Sequence, residues 1–149
     1  MTLQQRIEGT AMADGTGGNP VMRVMIVEDN EALAQTTGWL VEMLGYDYRL
    51  ALSPKQAQDQ VVAYRPDVIM MDLGLPGMNG YNLCRLLRKE PELADTVFIA
   101  QTGWGEAEHR RLTNEAGFHH HLVKPLYLEA LKDLLASIEK TLHKTPAER

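Results

Sequence analysis

Short apolar runs alternate with longer amphipathic ones along most of this chain. The stretch RVMIV (23–27) is continuously apolar, as a strand buried on both faces would be, and EALAQTTGWLVEML (31–44) then places Leu33, Leu40, Val41 and Leu44 near helical spacing before Gly45 stops it. YDYRLAL (46–52) alternates like a second strand. Ser53 and Pro54 read as a cap and a first helical residue, opening a helix over 55–64. DVIMMDL (67–73) predicts a third strand, 80–90 a helix, TVFIAQT (96–102) a fourth strand, and 106–117 a polar helix stopped by glycine. HHHLV (119–123) is a short fifth strand. The last helix, 126–143, carries Leu128, Leu131, Leu135, Ile138 and Leu142 along one face.

Five strands alternating with five helices over short connections imply a doubly wound α/β fold with a five-stranded parallel sheet. Its strands are apolar enough to be covered on both sides. Ligands bind such sheets outside the C-terminal ends of the strands. That rule gives meaning to the polar residues that end these runs. Glu28 and Asp29 follow strand one, Asp72 ends strand three, Thr102 ends strand four and Lys124 follows strand five. All five converge on one edge of the sheet.

Three carboxylates brought together repel unless a cation joins them. Oxygen ligands suit a hard ion such as Mg²⁺, which takes one or two carboxylates, a carbonyl and a phosphate oxygen. A metal plus the Lys124 ammonium suits a site that stabilises phosphoryl oxygens, with Thr102 as a hydrogen-bond donor. Asp72 is then the candidate nucleophile, since carboxylates form acyl phosphates. Taken singly, each residue has a plainer reading: Asp29 as a helix cap, Thr102 as an ordinary strand residue, Lys124 as a surface lysine. Their joint placement separates the two readings.

Composition narrows the picture. The 149 residues suit one domain, and 44% hydrophobic with 23% charged residues describes a globular chain. A net charge of −5 argues against general nucleic-acid binding. No apolar run is long enough to span a bilayer, and residues 1–20 lack the apolar core of a secretory signal. That segment reads as a flexible N-terminal tail; its GTGG lacks the Gly-Lys-Ser/Thr of a phosphate loop. The single cysteine, Cys84, excludes an internal disulfide and fits a small buried thiol in a reducing, cytoplasmic setting. Met22, Met25, Met70, Met71 and Met78 read as core and loop filler.

The stretches MIVEDN, VIMMDLGLPGMNGYNLCRLLR, FIAQTG and HHLVKP together resemble the receiver domain of two-component response regulators. The spacings between Asp29, Asp72, Thr102 and Lys124 match the family as well, and the resemblance covers roughly residues 22–143. It implies the (βα)5 flavodoxin-like receiver fold with strand order 2-1-3-4-5, a receiver domain over 21–143 and a short C-terminal tail over 144–149. It also implies Mg²⁺, with Mn²⁺ as a substitute, held by Glu28, Asp29, Asp72 and the Gly74 carbonyl. Asp72 is the implied phosphoacceptor, Thr102 the switch hydroxyl and Lys124 its phosphoryl-pairing partner. Pro125 makes the often-cis bond that aims the lysine, and Gly103 leaves the phosphoryl pocket open. His121 departs from the family, which carries Tyr or Phe there, so the Thr–aromatic coupling stays open. Trp104 reads equally as a residue that gates the phosphoryl group or packs on the polar fourth helix, or as a partner anchor.

The implied partners are a histidine kinase or histidine phosphotransfer protein and a downstream target, with no nucleic acid and no membrane. The implied state is a monomer or a weak phosphorylation-dependent dimer. The first helix borders the site and is the expected docking face for the donor. Too little chain follows Lys124 for an output domain, so the expectation is signalling through the receiver's own surface. The domain is either free-standing or cut from a hybrid kinase, whose receivers QTGWGEAEHRRLTNEAGFHHHLVKP resembles. The expectation is a domain that catalyses only its own phosphorylation and dephosphorylation. An aspartyl phosphohydrolase would need a second Asp where Gly74 stands. A flavodoxin-like nucleotide module would need a phosphate loop where EDNEAL stands. A pseudo-receiver acting only as an interaction module is the remaining alternative. His119 and His121 share a strand face, but no further ligand stands near them in sequence to complete a metal site.

Overall fold

The computed structural model describes residues 21–103 and 107–142. Five strands, β1 (Arg23–Val27), β2 (Asp47–Ala51), β3 (Val68–Asp72), β4 (Val97–Thr102) and β5 (His120–Val123), alternate with five helices. These are α1 (Glu31–Met43), α2 (Pro54–Tyr64), α3 (Gly80–Leu87), α4 (Ala107–Ala116) and α5 (Leu128–Leu142). The strands form one parallel sheet in the order β2-β1-β3-β4-β5. This is the doubly wound arrangement and strand order that the sequence led us to expect, and the strand order reverses beside β1, between β1 and β3.

Period-two alternation sorts the strand residues to two faces. Met25, Val27, Ile69, Met71, Phe98 and Ala100 pack against α2, α3 and α4 through Val61, Leu83, Leu87 and Ala116. Val24, Ile26, Val68, Met70 and Ile99 face Val41 of α1 and Leu131, Leu135 and Ile138 of α5. Met22, Met25, Met70 and Met71 are core residues, as expected, and Met78 packs against the rim. Cys84 is fully buried, and burial pushes its thiol up to about 12, which keeps it unreactive.

Local signals set the boundaries. Ser53 caps α2 by accepting from the Gln56 amide, and Pro54 occupies the first turn. Gly45 adopts φ +99 just beyond α1, a conformation that favours glycine. Two boundaries depart from expectation, and a cap settles which role Asp29 does not take. The helix expected over 80–90 ends at Leu87 and is followed by a short 3-10 turn, Pro91–Leu93, which buries Leu93. The last helix begins at Leu128 rather than 126, and the Lys124–Pro125 bond before it is cis. Asn30, not Asp29, caps α1, accepting from the Leu33 amide at 3.0 Å.

Candidate functional site

Parallel register brings the strand ends together. Val27 lies beside Met71, Asp72 beside Gln101, and Thr102 beside Val123. The residues that follow each strand therefore surround one depression at the C-terminal edge of the sheet. Glu28, Asp29 and Asp72 each offer a carboxylate oxygen there, and these oxygens lie within 4.8 Å of one another. Because Asn30 takes the capping role, the Asp29 carboxylate is left to this cluster.

Lys124 completes it. Its Nζ donates to Glu28 Oε1 at 2.9 Å and stands 3.4 Å from Asp72 Oδ1. The backbone fixes its position, since the Lys124 amide donates to the Thr102 carbonyl at 2.7 Å. Glu28 is itself held by two contacts, Lys124 at Oε1 and the Asn30 amide at Oε2, 3.1 Å away. Asp72 Oδ1 accepts from the Gly74 amide at 3.2 Å.

The charges are strained by their setting. Burial raises the Glu28 carboxyl above its ordinary value and the Asp72 charge adds to this, against the opposing pull of Lys124 and the Asn30 amide. For Lys124, burial works against the ammonium, but the Glu28 hydrogen bond and the two carboxylates outweigh it and hold the group above the usual lysine value. One ammonium faces three carboxylates, an imbalance that a divalent cation would correct. The donor set is all oxygen, which suits a hard ion. By charge and by ligand chemistry, the residues fit Mg²⁺.

The other expected site residues fall around this cluster. Gly74 lies two residues past Asp72, and a Cβ built on it would sit 3.9 and 4.0 Å from the Asp72 carboxylate oxygens. Gly103 borders open space, with nothing within 4 Å of such an atom. Thr102 is buried at the end of β4. His121 pairs with Ala100, two positions back from the ends of β4 and β5, and both its ring nitrogens are shielded from solvent. Trp104 lies outside the described residues. Among the described residues the histidines form no metal-binding group; the acidic trio is the one such cluster.

A neighbouring feature, outside the acidic cluster itself, was not anticipated. A groove of about 480 Å³ runs from Glu28 and Lys124 between α1 and Pro125–Leu126, lined by Leu33, Thr36, Leu40 and Gln101. The signal for it was present in TVFIAQT, where a glutamine occupies an inward strand position among apolar residues.

The family model described as the response regulator receiver domain matches residues 24–136, well over half of the chain. A DNA-binding dual master transcriptional regulator, RpaA of Synechocystis sp., is 30% identical over 123 residues, covering 83% of this chain and 50% of that protein. The phosphate regulon transcriptional regulatory protein PhoB of Rhizobium meliloti is 29% identical over 126 residues, covering 85% of this chain and 54% of its own length. The chain thus spans about half the length of the curated relatives it matches. The chemotaxis response regulator CheY4 of Vibrio cholerae superposes with a TM-score of 0.75 over 79% of this chain and 98% of its own, at 24% identity, and so shares the fold. Among the described residues, no helix is long and apolar enough to cross a membrane.

Proposed function

The chain belongs to the response regulator receiver domain family of two-component signalling, and from that premise we propose that Asp72 accepts a phosphoryl group from a phosphohistidine. The observation that carries this reading is the ammonium of Lys124 held between Glu28 and Asp72, inside a cluster of three carboxylates. That arrangement places a nucleophilic oxygen, a fixed cation and an oxygen-rich cation site within one depression.

The chemistry follows from those positions. A carboxylate oxygen of Asp72 attacks the phosphorus, the P–O bond forms as the P–N bond breaks, and the imidazole leaves with the electron pair. Lys124, already near Asp72 Oδ1, pairs with a phosphoryl oxygen. Glu28, Asp29, Asp72 and the Gly74 carbonyl would hold Mg²⁺, or Mn²⁺ in its place, which when bound supplies neutralisation of the phosphoryl oxygens. Thr102 is the hydroxyl that turns toward the new group. No second acid stands at Gly74 to activate water, so the domain serves as a phosphoprotein that acts on itself rather than as a turnover enzyme.

Partners follow from surfaces. α1 exposes Leu33, Trp39 and Met43, and Leu33 lines the groove that includes Glu28 and Lys124, which supports α1 as the docking face for a histidine kinase or phosphotransfer protein in the cytoplasm. Val123, Tyr127 and Leu128 are exposed around β5 and the start of α5. Together with α4 they form the surface proposed to carry the phosphorylated state to a target, by a shift between two populated arrangements.

The test is intact-mass analysis after incubation with Mg²⁺ and a small acyl phosphate. The reading expects one added phosphoryl group, absent in EDTA and absent in Asp72→Asn. A chain that gains nothing with Mg²⁺, or gains the same mass in Asp72→Asn, overturns it.

A further inference from the structure

The groove beside the acidic pocket holds a buried polar group that packing does not explain. Gln101 forms part of its lining and is only 4% exposed. Alternation along β4 puts its side chain on the same side as Ile99, toward α1 and α5. Among the described residues its side-chain amide makes no hydrogen bond, although its backbone carbonyl accepts from Leu73. The two threonines of the groove are already committed, Thr36 to the Ala32 carbonyl and Thr37 to the Leu33 carbonyl. Glu28 and Lys124 are committed to each other. Gln101 is thus the uncommitted polar group in a groove otherwise walled by Leu33, Leu40, Pro125 and Leu126.

A primary amide carries two donor hydrogens and an acceptor oxygen. Once the groove is covered, these need partners or the fold bears their full desolvation. An apolar residue of similar volume would avoid that cost. The groove also shares Glu28 and Lys124 with the phosphoacceptor pocket, so a protein that delivers a phosphoryl group to Asp72 must lie across its mouth. We infer that Gln101 is a specificity-determining residue for the phosphodonor, reading a neutral hydrogen-bonding side chain (an amide or a hydroxyl) on the donor's docking helix. Apolar neighbours on that helix fill the rest of the groove. A charged side chain is disfavoured, because the apolar walls would strip its hydration and the groove's two charges, Glu28 and Lys124, already pair with each other. This inference rests on Asp72 being the phosphoacceptor.

The experiment uses Gln101→Met, which keeps the volume and removes the hydrogen-bonding atoms. The source organism's histidine kinases, autophosphorylated with labelled ATP, are profiled against the full wild-type chain, and transfer from the fastest donor is measured for both chains. Loss of one neutral hydrogen bond predicts a KM for that donor raised about threefold to tenfold. The limiting transfer rate and labelling by a small acyl phosphate, which brings no docking side chain to Gln101, stay at the wild-type level. An unchanged KM overturns the inference. So does an equal loss with acyl phosphate, a change in self-association alone, or a wild type that labels from acyl phosphate but from no kinase. A wild type that labels from neither source overturns the phosphoacceptor reading itself.

Discussion

Lys124→Met is the most informative single perturbation of the acidic pocket. It keeps the aliphatic stem and removes one charge. The ammonium lies 2.9 Å from Glu28 Oε1 and 3.4 Å from Asp72 Oδ1. At an effective dielectric of about 20, each contact is worth roughly 5 kcal/mol before solvation is counted. Most of that is offset, because the lysine side chain is 28% exposed and its removal recovers the desolvation of a half-buried ammonium. Glu28, whose carboxyl is already raised, can also take up a proton. The net loss in metal-free protein is about 2–3 kcal/mol at neutral pH, read as a fall in Tm of roughly 5–10 °C.

The variant's acids have lost their built-in cation, so they bind a divalent ion more tightly, and a ligand that binds only the folded state stabilises it in proportion. Millimolar Mg²⁺ therefore closes most of the gap between variant and wild type. Thermal unfolding of both chains in EDTA and in Mg²⁺ makes the comparison. A variant as stable as wild type in EDTA, or a gap that Mg²⁺ leaves unchanged, refutes the electrostatic reasoning.

Three further outcomes follow from single contacts. The Nδ1 of His119 accepts from the Phe98 amide at 2.9 Å, and burial, Arg88 and His120 hold its pKa below the ordinary 6.5; the unfolded chain then binds the proton first, so stability is level above pH 6.5 and declines below it, and His119→Gln flattens that decline in denaturant titrations across this range. Gly80→Ala puts a Cβ 2.8 Å from Leu73 Cα and 2.9 Å from the Asp72 carbonyl, both backbone atoms; it lowers stability by about 1–3 kcal/mol and slows acyl-phosphate labelling by displacing Asp72. Gly74→Val places an apolar side chain over the Asp72 carboxylate in space that is open; followed by intact mass after removal of the donor, its phosphoryl group is lost several-fold more slowly than in wild type, as expected when water is kept from the reacting atoms.

Much of this molecule was legible because its strands are buried on both faces. RVMIV and VIMM needed no structure to be read as interior strands, and the acids that end them marked the edge where a site forms. The caps at Ser53 and Gly45 were legible for the same local reason: each residue type answers a specific backbone need. What escaped was decided by tertiary context. Nothing in EDN says that Asn30 rather than Asp29 takes the cap; that depends on where the Asp72 and Lys124 side chains stand. The turn at Pro91–Leu93 was hidden because its one buried side chain, Leu93, reads as part of a polar loop. The amide of Gln101 looked like ordinary strand polarity, and only the folded chain shows that it lines a groove between α1 and Pro125–Leu126. His121 is placed on β5 beside Ala100, so an imidazole stands where the resemblance implied a Tyr or Phe.

The most direct test locates the covalent bond. After labelling with acyl phosphate and Mg²⁺, borohydride reduction converts an aspartyl phosphate to homoserine, and peptide mass mapping then gives its position. Reduction is expected at residue 72 and nowhere else, dependent on Mg²⁺. Reduction at Glu28 or Asp29, or a phosphoryl group found on a histidine, would contradict it.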